Sequence, residues 1–139
     1  LGVFGGNGEK IENVSGLAGK QIAVAKGSTL DTWLTDNAPE AKLVRFEDTP
    51  SAIAAFLAGQ ADYFAENSAI AVKVANDNPG KNVAIAYRIR LSPAHIGVKQ
   101  GEQNFLNWIN TFLFFHNMSG DLAKLQMTFF KEEQTLPHM

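Results

Sequence analysis

The stretch QIAVAKGSTLDTWLTDN, residues 21–37, decides the fold. Gln21–Ala25 is a five-residue apolar run of buried strand character. Lys26-Gly27-Ser28-Thr29 follows it directly, and Ser28 with Asp31 three residues on has the form of a capping box. A helix is therefore expected from Ser28 to about Asn37. A strand running through one tight turn into a helix is half of a parallel βαβ unit.

The same alternation continues outward. Ala41–Phe46 reads as a strand. Thr49-Pro50 reads as a threonine cap followed by proline at the first helical position. The helix through Ile53, Phe56 and Leu57 is expected to stop at Gly59. Ala61–Ala65 is a strand, about Asn67–Asn76 a helix, Asn78-Pro79-Gly80 a turn, and Asn82–Tyr87 another strand. Upstream, Leu1–Phe4 is a strand closed by the turn Gly5-Gly6-Asn7-Gly8. Ser92-Pro93 breaks the chain before an extended segment, His95–Lys99. The last third changes character. Phe105–Met118 spreads large apolar side chains round most of a helix, a pattern of burial on several sides. A second helix runs from Gly120 to about Phe130, and the end, Pro137-His138-Met139, is polar.

The chain has 139 residues, with 12 basic and 14 acidic side chains scattered along it. No basic stripe suggests a nucleic-acid partner. With no cysteine there is no disulfide, thiolate metal site or cysteine nucleophile. The three histidines show no metal-ligand spacing, and Asp62 and Glu66 flank a strand-to-helix junction in no acid–base arrangement. No phosphate-loop, dinucleotide or nucleophile-elbow motif is present. The expectation is therefore binding without catalysis, metal or cofactor.

Two places could carry that binding. At Lys26-Gly27-Ser28-Thr29 a glycine precedes a helix N-terminus, where backbone N–H groups and two hydroxyls could seat an anion. On the residues alone, a simple Ser28 cap explains the turn as well. At Glu66-Asn67-Ser68 a strand ends where open α/β sheets bind ligands. Asn67 offers an acceptor and an amide donor there, or is itself only a cap.

Taken in order, GLAGKQIAVAKGST (16–29), AKLVRFEDTPSAIAAFLAGQADYFAENSA (41–69) and RIRLSPAHIGVKQGEQNFLNWINTFLFFHNMSGDLAKLQMTFF (88–130) resemble one family. It is the amino-acid-binding, type 2 solute-binding proteins of ABC transporters. The resemblance implies an α/β, periplasmic-binding-protein-like lobe with a mostly parallel sheet flanked by helices. Residues 1–99 correspond to lobe 2 with both hinge strands. Residues 100–139 correspond to C-terminal helices that normally pack on lobe 1, most of which is absent.

The resemblance further implies a periplasmic, or extracellular and lipid-anchored, protein that binds a polar amino acid or small carboxylate and partners a transporter permease. Lys26, Gly27, Ser28, Thr29 and Asn67 would form its ligand site. The position of Asn67 is usually an aspartate that pairs with the ligand amine, so here the charge is missing. Glu66 is expected on the other side of the local strand, where it does not replace that charge. Without lobe 1, four or more large side chains of the helix Phe105–Phe115 would be exposed, and homo-oligomerisation through Phe105–Phe130 is expected. An interaction domain that keeps the fold but binds no solute is the alternative function.

Overall fold

A computed structural model describes residues 1–90 and 95–130 of the chain, which divides into two compact units, Leu1–Ser92 and Pro93–Met139. The Ser92-Pro93 break and the polar end at 137–139 lie outside the described residues.

The first unit is a five-stranded mixed sheet flanked by helices. Its strands are β1 (Gly2–Gly5), β2 (Gln21–Ala25), β3 (Lys42–Phe46), β4 (Tyr63–Glu66) and β5 (Ala84–Arg88), in the order β3-β2-β4-β1-β5. β2 runs parallel to β3 and β4, and β1 runs antiparallel to both β4 and β5. Four strands thus share one direction and β1 alone opposes it, from inside the sheet.

Period-two alternation explains the two cores. Val3, Ile22, Val24, Tyr63 and Ala65 point to one face, where Leu30 and Leu34 of α1 (Thr29–Asn37) cover them. Phe4, Ala23 and Phe64 point to the other, under α2 (Thr49–Leu57) and α3 (Ser68–Asp77). Phe64 is fully buried there, its ring 5.6 Å from Phe4 and 4.9 Å from Phe56. Each such side chain contributes about 1.5–3 kcal/mol of burial.

The helix caps refine the sequence reading. Ser28 caps α1, its Oγ accepting from the Asp31 N–H at 3.1 Å. α2 is capped by Asp48, not Thr49: Asp48 Oδ1 accepts from the Ser51 N–H at 2.8 Å. Pro50 therefore sits second in the helix, and Thr49 is free to use its hydroxyl elsewhere. Asn67 caps α3 through the Ile70 N–H at 3.0 Å.

A polar network ties the loop after β1 to the sheet end where β2 and β4 begin. Lys20 Nζ lies 2.9 Å from both carboxylate oxygens of Glu9, and the Tyr63 hydroxyl donates to the same carboxylate. Asn7 Nδ2 donates to the Tyr63 hydroxyl at 3.1 Å. Gly5 makes this approach possible, because a Cβ there would stand 2.7 Å from the Tyr63 ring.

The second unit contains α4 (Gln103–Met118) and α5 (Asp121–Phe130). Residues 95–99, expected as an extended segment and second hinge strand, belong to no strand. Gly120, at φ +78°, turns the chain between the helices. Asp121 accepts there from the Ser119 hydroxyl at 2.7 Å and lies 2.9 Å from His116 Nδ1. Phe105, Trp108, Phe112 and His116 form a ladder of rings at helical spacing. Of the α4 side chains only Ile109 is buried; Trp108 is 61% exposed and Phe115 64%.

Candidate functional site: the C-terminal edge of the sheet

β2 and β4 are hydrogen-bonded parallel neighbours, with Ile22 opposite Tyr63 and Ala23 opposite Phe64. β2 ends at Ala25 and β4 at Glu66, so Lys26 and Asn67 each directly follow the end of one of these two neighbouring strands. The two segments singled out in the sequence therefore leave the same sheet edge side by side. Local chemistry places them there: each strand ends where a good capping residue, Ser28 or Asn67, starts a helix.

The turn Lys26–Thr29 is not an empty anion seat. Gly27 adopts φ +71°, with open space where a Cβ would lie, and its N–H donates to Asp31 Oδ2 at 2.9 Å. The Ser28 N–H is likewise used, by the Ala25 carbonyl at 3.2 Å. Asp31 is buried, and its Oδ1 accepts from Arg45 Nε at 2.8 Å. Arg45 also donates to the Thr35 hydroxyl at 2.8 Å. Burial pushes the Asp31 pKa up, but the Gly27 N–H and the Arg45 guanidinium outweigh it and hold the carboxyl below its ordinary value. The chain's own carboxylate thus satisfies part of the α1 N-terminus.

What remains open lies beside it. Gly27, Thr29, Thr32, Trp33, Asp36, Asn37 and Arg90 line a shallow cleft of about 400 Å³. Trp33 also packs against the Tyr87 ring at 6.2 Å. Arg90 makes no ion pair among the described residues, and neither does Asp36. Lys26 points elsewhere and lies 3.8 Å from Glu47, both side chains exposed.

Asn67 is doubly engaged. Its Oδ1 caps α3, and its Nδ2 donates to Glu66 Oε1 at 3.1 Å. The same Glu66 oxygen accepts from the Asn67 backbone N–H at 2.8 Å, and Oε2 accepts from the Thr49 hydroxyl at 2.9 Å. Glu66 was expected to stand away from Asn67. Its carboxylate instead folds back over the strand end and touches the Asn67 amide. Sequence reasoning missed this contact, and it missed Arg45 and Arg90. Asp31 had a visible signal in the capping box; Arg90 had none beyond being a lone cation after a strand.

No group of three histidine, aspartate or glutamate side chains among the described residues could hold a metal ion. No helix among them is long and apolar enough to cross a membrane.

This architecture is that of a periplasmic-binding-protein-like lobe, and the chain is similar to amino-acid-binding proteins of ABC transporters over nearly all its described length. It is 30% identical to the ABC transporter glutamine-binding protein GlnH of Bacillus subtilis, over 91% of this chain and 46% of that protein. Among solved structures, the L-cysteine solute receptor of Neisseria gonorrhoeae is 26% identical, with a TM-score of 0.59, over 98% of this chain and 56% of that one. An ancestral amino acid-binding protein, described as a precursor of cyclohexadienyl dehydratase, is 25% identical with a TM-score of 0.61, over 92% and 55% of the two chains. The chain spans about half the length of each of these proteins. No protein-family profile matches it.

Proposed function

We propose that the chain is a solute-binding lobe for ABC-transporter uptake of a polar amino acid or related small anion. Lys26, Gly27, Ser28, Thr29 and Asn67 frame the ligand site in this reading; the Gly27 and Ser28 N–H groups and the Asn67 amide are engaged within the chain, and Thr29 lines the open cleft. The observation that supports this reading is the parallel pairing of β2 with β4, strands whose ends lead directly into the Lys26–Thr29 turn and Asn67. The C-terminal edge is where open α/β sheets bind ligands. Support also comes from the similarity to the glutamine-binding relative across most of the chain.

In this reading residues 1–99 are the second lobe of a two-lobed receptor, and residues 100–139 are helices that pack on the first. The protein works outside the cytoplasmic membrane, periplasmic or lipid-anchored, and delivers its ligand to a transporter permease. It binds and does not catalyse.

Thermal-shift and calorimetric titration with L-glutamine, L-cysteine and L-arginine tests the reading, because a ligand that binds only the folded state raises the melting temperature. Binding that Thr29→Ala weakens is the expected result. Binding indifferent to Thr29→Ala refutes the seat, and no response to millimolar amino acid refutes the solute-binding reading.

The exposed rings of α4 favour a second reading, in which the chain associates with itself through Phe105–Phe130. Trp108, Phe114 and Phe115 are each more than half exposed, and an apolar patch of that kind marks an interface. Light scattering at micromolar concentration should give more than the monomer mass; a stable monomer refutes it.

A further inference from the structure

Thr29, Thr32, Trp33, Asp36 and Asn37 recur at helical spacing and form one stripe along α1. It is not the stripe that α1 buries, because Leu30 and Leu34 face the core. It makes one wall of the cleft of about 400 Å³, a volume within the range of small-molecule sites. Arg90, just past the end of β5, faces it across the cleft. The Arg90 backbone is pinned: its carbonyl accepts from the Leu1 ammonium at 3.0 Å, and the neighbouring Ile89 N–H donates to the Leu1 carbonyl at 3.1 Å. Trp33 is half-buried and rests on the Tyr87 ring, which steadies the indole in the cleft wall.

Asp36 and Arg90 bring opposite charges to this one cleft, yet neither makes an ion pair among the described residues, with the other or with any third group. The Leu1 ammonium near Arg90 is a like charge. Burial first, then repulsion by Arg88 and Arg90, holds its pKa below the ordinary value, against the attraction of Glu66. It adds to the positive end of the cleft and does not neutralise it. A carboxylate alone therefore gains Arg90 and meets Asp36; an amine alone gains Asp36 and meets Arg90. A molecule with both charges, long enough to bridge the gap that the two side chains leave, answers both. The indole of Trp33 gives its apolar part a surface.

We infer that this cleft is a binding site for a small zwitterion of amino-acid size, with its carboxylate on Arg90, its ammonium on Asp36 and its apolar part against Trp33. Thr29 at its rim also belongs to the seat proposed above, but Arg90, Asp36 and Trp33 do not. The inference thus goes beyond that reading and stands or falls separately. Both charges are exposed, so the site is a weak one.

The test is an NMR titration of the isotopically labelled chain with L-glutamine and with its two analogues, one lacking the α-amine and one lacking the α-carboxylate. The indole N–H of Trp33 reports the cleft, the side-chain amide of Asn67 reports the sheet edge, and Trp108 on α4 is the internal control. The Trp33 signal should move saturably with millimolar L-glutamine and less with either analogue. Arg90→Gln and Asp36→Asn remove exposed charges that hold no ion pair, so both variants keep the fold. Each should weaken L-glutamine at Trp33 about threefold to fivefold, the scale of an exposed ion pair, and leave the response of Asn67 unchanged. A Trp33 signal that does not move, or that moves equally with Trp108, overturns the inference. So does equal affinity in wild type and both variants. Weakening by Arg90→Gln alone also overturns it, because that marks a plain anion site. A silent Asn67 with a responding Trp33 counts against the seat at the sheet edge and supports the cleft; the converse supports the seat and overturns the cleft.

Discussion

Asn67→Asp is the substitution that looks most conservative at this site, and the structure makes it a destabilising one. Asparagine and aspartate cap helices about equally well, so the bond to the Ile70 N–H survives. The planar head group then puts an oxygen where Nδ2 now stands, 3.1 Å from Glu66 Oε1. A hydrogen bond becomes a contact between two negative oxygens. Two unit charges at that distance repel by about 5 kcal/mol at an effective dielectric constant of 20, and by about 1.3 kcal/mol in water. The edge is half-buried and the new side chain can turn away only by giving up its cap, itself worth about 1 kcal/mol. A net loss of about 1–3 kcal/mol at neutral pH follows from these limits.

The sign of the pH dependence is fixed by the same geometry. A protonated new carboxyl donates to Glu66 and restores the lost bond, so its folded-state pKa is raised above the unfolded value of about 3.9. The stability it contributes is therefore full below that value and is lost as pH rises through the folded pKa. Urea melts of wild type and variant at mildly acidic and neutral pH measure the difference. The gap should be small in acid and widen toward neutrality. A variant as stable as wild type at neutral pH, with no widening, refutes the Glu66–Asn67 contact.

Three further outcomes follow from named contacts. Asp31→Asn removes the charge that holds Arg45 and should cost about 2 kcal/mol, as for hydrogen bonds to charged groups. Because the Asp31 pKa is held low, that stability is present above about pH 4 and is lost on acidification; wild-type and variant melts should converge in acid, and parallel curves would falsify the pairing. Glu9→Gln weakens the tie to Lys20 and Tyr63, whose hydroxyl and ammonium hold the Glu9 carboxyl below its ordinary value. Its melting temperature should fall at neutral pH and match wild type in acid. Gly27→Ala meets no atom within 4 Å, so its cost is the backbone term alone at φ +71°, about 1–2 kcal/mol; a loss well above that in chemical denaturation would mean a side-chain clash that the structure does not contain.

Much of this fold can be seen in the sequence because the strands obey period two and the helices begin at strong caps. Ser28 and Asn67 each start the helix expected of them. The cap of α2 shows where such reasoning stops. Asp48 and Thr49 are both good caps, and Pro50 fits the first or the second helical position, so composition leaves two registers and the backbone chooses Asp48. Glu66 shows another limit. Alternation sets residues 66 and 67 on opposite faces only while the strand lasts, and β4 ends at Glu66. Beyond that point the chain turns into α3, and a long side chain can fold back onto its neighbour. Arg45 meets Asp31 because β3 lies parallel to β2 with Val24 opposite Arg45. That register depends on the assembled sheet and is invisible in either segment alone.

The caps also change what kind of ligand the edge favours. Each helix that starts there carries a carboxylate of the chain itself: Asp31 on the Gly27 N–H, Asp48 on the Ser51 N–H, Glu66 on the Asn67 N–H. Donors that a bare helix N-terminus would offer to an anion are spent internally, and the partial positive charge of each terminus is offset. Thr29 and Arg90 line one cleft on the α1 side, and Arg90 makes no ion pair among the described residues, so in the proposed reading these two are what an incoming carboxylate meets. With three of the chain's own carboxylates at these helix starts, dicarboxylates without an amine should bind more weakly than amino acids of equal length. Competition calorimetry between L-glutamate and glutarate reads that order directly, and the reverse order would mean that these carboxylates do not bear on the ligand.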